Sequence, residues 1–309
     1  MKAVEQHQIG MVVNVADLTS EYVKYGCVRL PKLLDDDTIR VIAQESQKLL
    51  AGASQPLEKA IKFFDRQEWE PLLWTATQNV TILYDILGQS PQLDQALESI
   101  LADPIVDRLL LDVLGKDYKM WLVQIRRANP GSGCLRIHQD RPGETCLQIL
   151  LDDVPSPAGS TVLLPGSDAW PRIINSLPFI KPKYIAPWLR SLTGKKGDIW
   201  LFTRTVWHGR SQADSRSQTV LMMSFLPGCA DQNIVIPPPR ILEKLGPKLQ
   251  AALHDRRDRS GSQLAATTEL QKLLEANPRF KFWSPWQLAI GLSYLFSLAL
   301  SVWRFFKRY

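Results

Sequence analysis

The chain has 309 residues, 45% of them hydrophobic and 22% charged, which excludes fibrous, low-complexity and largely disordered proteins. Its net charge of +6 is uneven: residues 240–309 carry twelve Lys and Arg against five Asp and Glu, so residues 1–239 sum to −1. This near-neutral main part argues against a nucleic-acid partner, and four irregularly spaced cysteines favour reduced thiols over a disulfide framework.

The first third of the chain is predicted to be mostly helical. Residues 1–20 form a lead without the apolar run of a signal peptide, so we expect the folded domain in the cytoplasm. The aromatic and β-branched residues of 22–31 predict a short strand closed by proline. A helix should begin near Asp35, where acidic residues occupy the first turn. Residues 57–115 are interpreted as helices broken by prolines, the last ending at Gly115.

From residue 118 the pattern changes to short strands between Gly- and Pro-rich turns. The predicted strands are 120–128, 135–140, 145–151, 160–164, 199–207 and 219–225. Many short strands of this kind favour a sandwich or barrel. The helical front half (21–117) and the β core (118–230) make an α+β domain, 21–230. A basic connector, 231–283, follows, with predicted helices at about 240–254 and 262–276.

Three side chains are candidate metal ligands. His138 and Asp140 are two residues apart, and side chains so spaced on a strand point to the same side. His208, in a strand-like run, is the natural third ligand, since two histidines and one carboxylate form the facial triad of non-haem Fe(II) oxygenases. Each has an ordinary alternative as a core histidine or turn residue. The other histidines, His7 and His254, are assigned no role.

Several stretches resemble, in order, the phytanoyl-CoA dioxygenase family of Fe(II)/2-oxoglutarate oxygenases. They are the opening segment 22–36, the His138-Gln-Asp140 motif, the two strands in 150–167, and the segment 197–209. The resemblance implies a double-stranded β-helix (jelly-roll, cupin-like) core and the use of Fe(II), 2-oxoglutarate and dioxygen. It also implies that His138, Asp140 and His208 are catalytic and bind the metal, and that a carboxylate at Asp140 favours hydroxylation over halogenation.

The resemblance further implies an arginine that binds the far carboxylate of 2-oxoglutarate, a task suited to the guanidinium fork. Arg216 is the first choice, although the gap of eight residues from His208 is shorter than the family's usual gap. Arg210, two residues after His208, is the competitor. Gln124 and Arg126, on the preceding strand, are further candidates for contacting the cosubstrate. For all of these, an ordinary polar residue is the alternative.

The C-terminal tail predicts a membrane anchor. Residues 286–303 carry no charge and would span about 27 Å as a helix, enough for a bilayer core. Tryptophans flank the run, so 284–306 is interpreted as a transmembrane anchor. A helix lying in the membrane interface, or packed on the domain, is the alternative. Ala289, Ser293 and Ser297 begin a small-residue stripe that would allow a homodimer. Deletion of 284–309 with cell fractionation tests the anchor.

Together these features predict a membrane-associated 2-oxoglutarate-dependent dioxygenase that hydroxylates a small or lipid-like organic substrate and releases succinate and carbon dioxide. The first alternative is a non-catalytic, membrane-anchored jelly-roll module that has lost cosubstrate binding, which the short gap to Arg216 would permit. The second is a zinc or iron cupin-like hydrolase or isomerase.

Overall fold

The computed structural model describes residues 14–30, 33–52, 72–76, 79–140, 143–169, 181–228 and 237–253. Its helices are α1 (Val15–Tyr25), α2 (Asp36–Gly52), α3 (Pro91–Ala102), α4 (Pro104–Leu114), α5 (Pro239–Leu242) and α6 (Pro247–Leu253). Its strands are β1 (Cys27–Leu30), β2 (Leu72–Ala76), β3 (Val80–Tyr84), β4 (Lys119–Ala128), β5 (Leu135–His138), β6 (Thr145–Leu150), β7 (Thr161–Leu163), β8 (Arg190–Ser191), β9 (Ile199–Thr203), β10 (His208–Arg210) and β11 (Gln218–Leu226).

The strands form two antiparallel sheets. The large sheet has the order β1-β9-β6-β11-β4-β3-β2, and the small sheet has the order β5-β10-β7-β8. Along β4–β7, and again along β8–β11, the chain passes from one sheet to the other at every step. Two such sets of four strands produce the eight-stranded, two-sheet arrangement of a jelly roll. The α+β class predicted from the sequence is confirmed.

The large sheet is covered on both faces. Alternate residues of a strand point to opposite faces, and one set, including Val123, Ile149 and Leu221, packs with the apolar faces of the helices in the main hydrophobic core. The other set, including Leu150 and Met222, packs between the sheets. Full burial of one such side chain contributes about 1.5–3 kcal/mol. The large sheet is therefore a well-supported base for groups facing the small sheet.

Helix ends follow local signals in the sequence. The side chain of Asp103 accepts hydrogen bonds from the amides of Ile105 and Val106 at 2.9 and 3.2 Å. Pro104 occupies the first turn, where a missing N–H costs nothing. Gly115 follows the last residue, as predicted. The predicted helices beginning near Asp35 and ending at Gly115 are both confirmed.

The prediction of a strand over 22–31 is wrong in its first half. Residues 22–25 are the last turn of α1, and β1 begins only at Cys27. Gly26 ends the helix at φ 71° and donates to the Tyr22 carbonyl at 2.7 Å. A Cβ there would also collide with Val206. The glycine therefore turns the chain from helix to strand within one residue, which aromatic and β-branched composition does not reveal.

The prediction of helix throughout 57–115 is also wrong where it covers β2 and β3. These strands pair with each other, and β3 extends the large sheet by pairing with β4 from Val80↔Ala128 to Tyr84↔Gln124. Pairing across more than forty residues of sequence decides this assignment. The predicted strand 199–207 is a strand only over β9, and residues 204–207 form the turn before β10. The predicted helix near 240–254 divides into α5 and α6.

Some predictions lie outside the described residues, among them the helix 262–276 and the membrane anchor 284–306, and both stay predictions. Within the part of the chain that the structure describes, no helix is long and apolar enough to cross a bilayer. Cys27, Cys134 and Cys146 are free thiols, in agreement with the expectation of reduced cysteines.

Candidate metal and cosubstrate site

The small sheet brings the two candidate histidines face to face. On the adjacent antiparallel strands β5 and β10, His138 lies directly opposite His208. A bulge follows, because Arg210 pairs with Leu135 rather than with the residue two positions before His138. The strands approach closely at Gly209, where a Cβ would lie 2.7 Å from the carbonyl oxygen of Leu135. The two histidines, which lie seventy residues apart in the sequence, thus form a cross-strand pair on β5 and β10.

Asp140 completes the group. The ligand atoms of His138, Asp140 and His208 all lie within 4.8 Å of one another. The Asp140 Oδ2 atom is 3.2 Å from the His208 Nε2 atom, and Oδ1 is 3.7 Å from the His138 Nε2 atom. The two imidazole rings are 4.3 Å apart between centroids. The structure therefore brings together the three residues that the sequence singled out.

The backbone fixes which nitrogen of each imidazole is free to bind a cation. The Nδ1 atom of His138 lies 2.8 Å from the Arg136 carbonyl, and that of His208 lies 2.9 Å from the Val206 carbonyl. Because a carbonyl oxygen only accepts, each Nδ1 must carry the proton. In the neutral ring the Nε2 lone pair is then free. Two nitrogen lone pairs and one carboxylate then converge on one point, an arrangement that suits a metal cation.

The titration behaviour of these groups suits a ligand set ready at neutral pH. Burial, with His208 nearby, lowers the pKa of His138 to about 4, so its ring is neutral. Burial acts to raise the pKa of Asp140, but contact with His208 and the charge of Arg204 outweigh it and hold the pKa well below its ordinary range. At neutral pH, His138 therefore offers a neutral imidazole and Asp140 a charged carboxylate.

Arg204, in the turn between β9 and β10, contacts the Asp140 carboxylate with two nitrogen atoms. Its Nε donates to Asp140 Oδ2 at 2.6 Å, and a terminal nitrogen donates to the same oxygen. The Nε atom is also 3.2 Å from Glu144, a carboxylate that is 1% exposed. Burial acts to lower the pKa of Arg204, but Glu144 and Asp140 raise it above its ordinary value. Arg204 is therefore a largely buried cation, 17% exposed, between two carboxylates.

Next to the triad, a polar cavity lies between the sheets. Arg126, Gln148 and Gln218 line it from the large sheet, and Thr161 and Arg210 line it from the small sheet. The hydroxyl of Thr161 donates to Gln148 at 3.0 Å. Ser160 also lines it, and the remaining lining residues are apolar or glycine. A cavity lined by two arginines suits a small anion.

Two arginines of this cavity retain unused donors. The Nε atoms of Arg126 and Arg210 are buried and have no hydrogen-bond partner among the described residues. Burial lowers the pKa of both, and the charge of Arg126 helps to lower that of Arg210 to about 10. Buried unsatisfied donors are rare in native proteins. Two unused donors on cations that line one cavity are suited to an anionic partner.

The sequence-predicted cosubstrate residues separate into two groups. Arg216 lies at the surface with its side chain 54% exposed, and it is paired with Asp214 at 2.7 Å. It does not line the cavity, so its placement opposes the first choice made from the sequence. Arg210 is 4% exposed and does line it. Gln124 is buried on β4, with its amide 3.5 Å from the Met222 sulfur.

Arg204 and Glu144 were not identified as candidates from the sequence. The available signal was a charged residue, Arg204, inside the apolar run that leads to His208. A charge there must pair when it is buried, but the sequence does not reveal its partner. His7 and His254, to which no role was assigned, lie outside the described residues.

Comparisons with known proteins agree with this arrangement. Residues 22–217 match the family model for phytanoyl-CoA dioxygenase (PhyH). No curated protein matches the chain. Among solved structures, the non-heme alpha ketoglutarate dependent epimerase SnoN from nogalamycin biosynthesis is similar, with a TM-score of 0.53 and 16% identity over 69% of this chain and 83% of that chain.

Two further structures have TM-scores of 0.50. One is the non-heme alpha ketoglutarate dependent carbocyclase SnoK from nogalamycin biosynthesis, 17% identical over 68% of this chain and 83% of that chain. The other is HygX from Streptomyces hygroscopicus with nickel, 2-oxoglutarate and hygromycin B bound, 12% identical over 68% of this chain and 86% of that chain. At these identities the likeness shows the fold.

Proposed function

We infer, from the premise that this chain belongs to the phytanoyl-CoA dioxygenase family, that it is an Fe(II)- and 2-oxoglutarate-dependent dioxygenase. It hydroxylates a small or lipid-like organic substrate and releases succinate and carbon dioxide. The observation that carries the proposal is the convergence of two Nε2 lone pairs and one carboxylate, with both Nδ1 atoms occupied by backbone carbonyls.

The donor set fits Fe(II). His138, Asp140 and His208 would hold the ion on one side and leave its other positions open, as the facial triad requires. The carbonyls that accept from the Nδ1 atoms would fix the orientation of both rings, a feature common among metal-binding histidines. When bound, Fe(II) with 2-oxoglutarate and dioxygen supplies the oxidising chemistry, while the protein positions the reactants.

The charge of the cavity lining suits one carboxylate of 2-oxoglutarate. We assign the far carboxylate to Arg210 and Arg126, whose unused Nε donors lie in a buried, cationic space next to the triad. Thr161 and Gln148 add polar groups to the lining. Arg216 is left with its surface partner Asp214. The short gap to Arg216, which favoured a non-catalytic module, therefore loses its weight as a reason for lost cosubstrate binding.

Hydroxylation is the finer part of the proposal. It is supported by Asp140, because a carboxylate at this position occupies the place that a halide would need. The similar structures include an epimerase and a carbocyclase, so the same fold carries other outcomes. The fold alone does not select among these reactions, and the choice of hydroxylation depends on the ligand set of this chain.

Succinate release tests the proposal. Purified full-length protein with Fe(II), 2-oxoglutarate and dioxygen should form succinate in the presence of small or lipid-like candidate substrates, and His208→Ala should abolish it. Arg216→Gln is the matched surface control and should retain turnover. Wild-type protein that neither turns over nor binds 2-oxoglutarate by calorimetry would contradict the proposal and favour the binding module. Turnover without dioxygen would instead favour a hydrolase or isomerase.

A further inference from the structure

Arg204 is joined to both ends of the segment that carries Asp140. Its carbonyl oxygen accepts from the Asp140 amide at 2.9 Å, and its amide donates to the Glu144 carbonyl at 2.7 Å. Its side chain contacts both carboxylates as well. One residue thus fixes the backbone and the side chain of Asp140, with Glu144 on the other side of its guanidinium.

The contacts divide the two oxygens of the Asp140 carboxylate. Both contacting nitrogens of Arg204 donate to Oδ2, which also lies 3.2 Å from the His208 Nε2 atom, whereas Oδ1 faces His138. An arginine that donates twice to one partner fixes orientation better than a single ammonium does. The fork therefore limits rotation of the carboxylate about its last bond.

We propose that Arg204 is a positioning residue for the metal centre: it holds Asp140 in the orientation that binds the ion and restrains its Oδ2 atom. This inference rests on the proposed function, since it needs an ion to be bound by the triad. The guanidinium charge also repels a cation. We therefore expect the orientation of Asp140 by Arg204 to strengthen metal binding by more than the positive charge of Arg204 weakens it.

Two substitutions separate orientation from charge and from simple structural support. Arg204→Lys keeps the positive charge and removes the fork, so only the orientation is lost. Glu144→Gln is the matched control, because it removes the other carboxylate partner of Arg204 and leaves the contacts to Asp140 in place. Arg204→Gln removes both charge and fork and complements the lysine variant.

The readouts are metal affinity, measured by anaerobic calorimetry with Fe(II), and the visible charge-transfer absorption of the Fe(II)–2-oxoglutarate complex. Thermal melts verify that each full-length variant is folded. We expect Arg204→Lys to bind Fe(II) about 10- to 100-fold more weakly, as loss of an outer partner of a metal ligand typically does, and to shift the absorption. Glu144→Gln should weaken binding by less than about threefold, below the usual range for an outer partner of a metal ligand, because the contacts of Arg204 to Asp140 remain in place.

Folded Arg204→Lys with wild-type affinity and absorption would overturn the inference, and so would tighter Fe(II) binding by Arg204→Gln, since charge would then dominate. Equal loss of affinity in Arg204→Lys and Glu144→Gln would reduce Arg204 to structural support and also overturn it. Wild-type protein that does not bind Fe(II) would refute the proposed function. Wild-type binding with unaffected arginine variants would refute only the positioning role.

Discussion

Replacing Arg210 by glutamine should weaken 2-oxoglutarate binding strongly, whereas the same change at Arg216 should not. Arg210 is 4% exposed and lines the cavity beside the triad. Arg216 is exposed and paired with Asp214. The two substitutions are chemically identical and lie six residues apart, so they compare a buried arginine with a surface arginine in one strand–turn segment.

The size of the effect follows from burial. Removing one partner of a buried, hydrogen-bonded charge pair costs about 2–5 kcal/mol. Arg126 remains as a second cation in the cavity, so we expect the lower end, about 2–3 kcal/mol, or roughly 30- to 140-fold in the dissociation constant. For Arg216→Gln the dissociation constant should stay within about twofold of wild type, since exposed ion pairs contribute little.

The assay is calorimetric titration of 2-oxoglutarate into metal-loaded protein without dioxygen. Arg210 also donates to the Ser132 hydroxyl at 2.9 Å and to the Gly133 carbonyl at 2.5 Å. Ser132→Ala is therefore the control for lost structural support, because it removes one of these bonds and keeps the guanidinium. Normal 2-oxoglutarate affinity in Arg210→Gln, or a large loss in Arg216→Gln, would refute the assignment of the cavity.

Two further predictions concern the sheet and the helices. Gly209→Ala should separate β10 from β5, because its Cβ would lie 2.7 Å from the Leu135 carbonyl. It should cost about 1–3 kcal/mol of folding stability and weaken metal binding in a calorimetric titration, and unchanged metal affinity would contradict it. Asp94 is buried and accepts from the Gly88 amide, and burial raises its pKa from 3.8 to about 6. Because the folded-state pKa is the higher one, the free energy of unfolding of the wild type should fall relative to that of Asp94→Asn as the pH rises from 4 to 6, by at most about 3 kcal/mol. Denaturation measured across this pH range would contradict the prediction if the difference between the two proteins stayed constant.

The candidate metal ligands were accessible from the sequence because their types are rare and their spacing is informative. The chain has four histidines, and the two-residue interval between His138 and Asp140 places both on one side of a strand end. His208 was found because it follows an apolar run. The structure brings these three side chains together, since the β5–β10 pairing fixes their register.

The position of Arg216 was harder to predict because it depends on the conformation of a turn. Asp214 accepts from both the backbone amide and the side chain of Arg216, and this local pairing holds Arg216 at the surface. The spacing of residues along the sequence does not reveal that a local partner such as Asp214 holds the arginine side chain. The strand β3 was missed for a similar reason, since its pairing with β2 and with the distant β4 distinguishes it from a helix.

The close succession of His208 and Arg210 on β10 has a consequence for cosubstrate choice. Their α-carbons are two residues apart on one strand, so about 6.8 Å separates them. With the ion at His208 and the guanidinium at Arg210, the spacing of these two residues along the strand would set the length of diacid that can contact both. A five-carbon keto acid would reach both groups, whereas oxaloacetate, one methylene shorter, would leave one of them unsatisfied. Length discrimination would then be a property of the strand rather than of any loop.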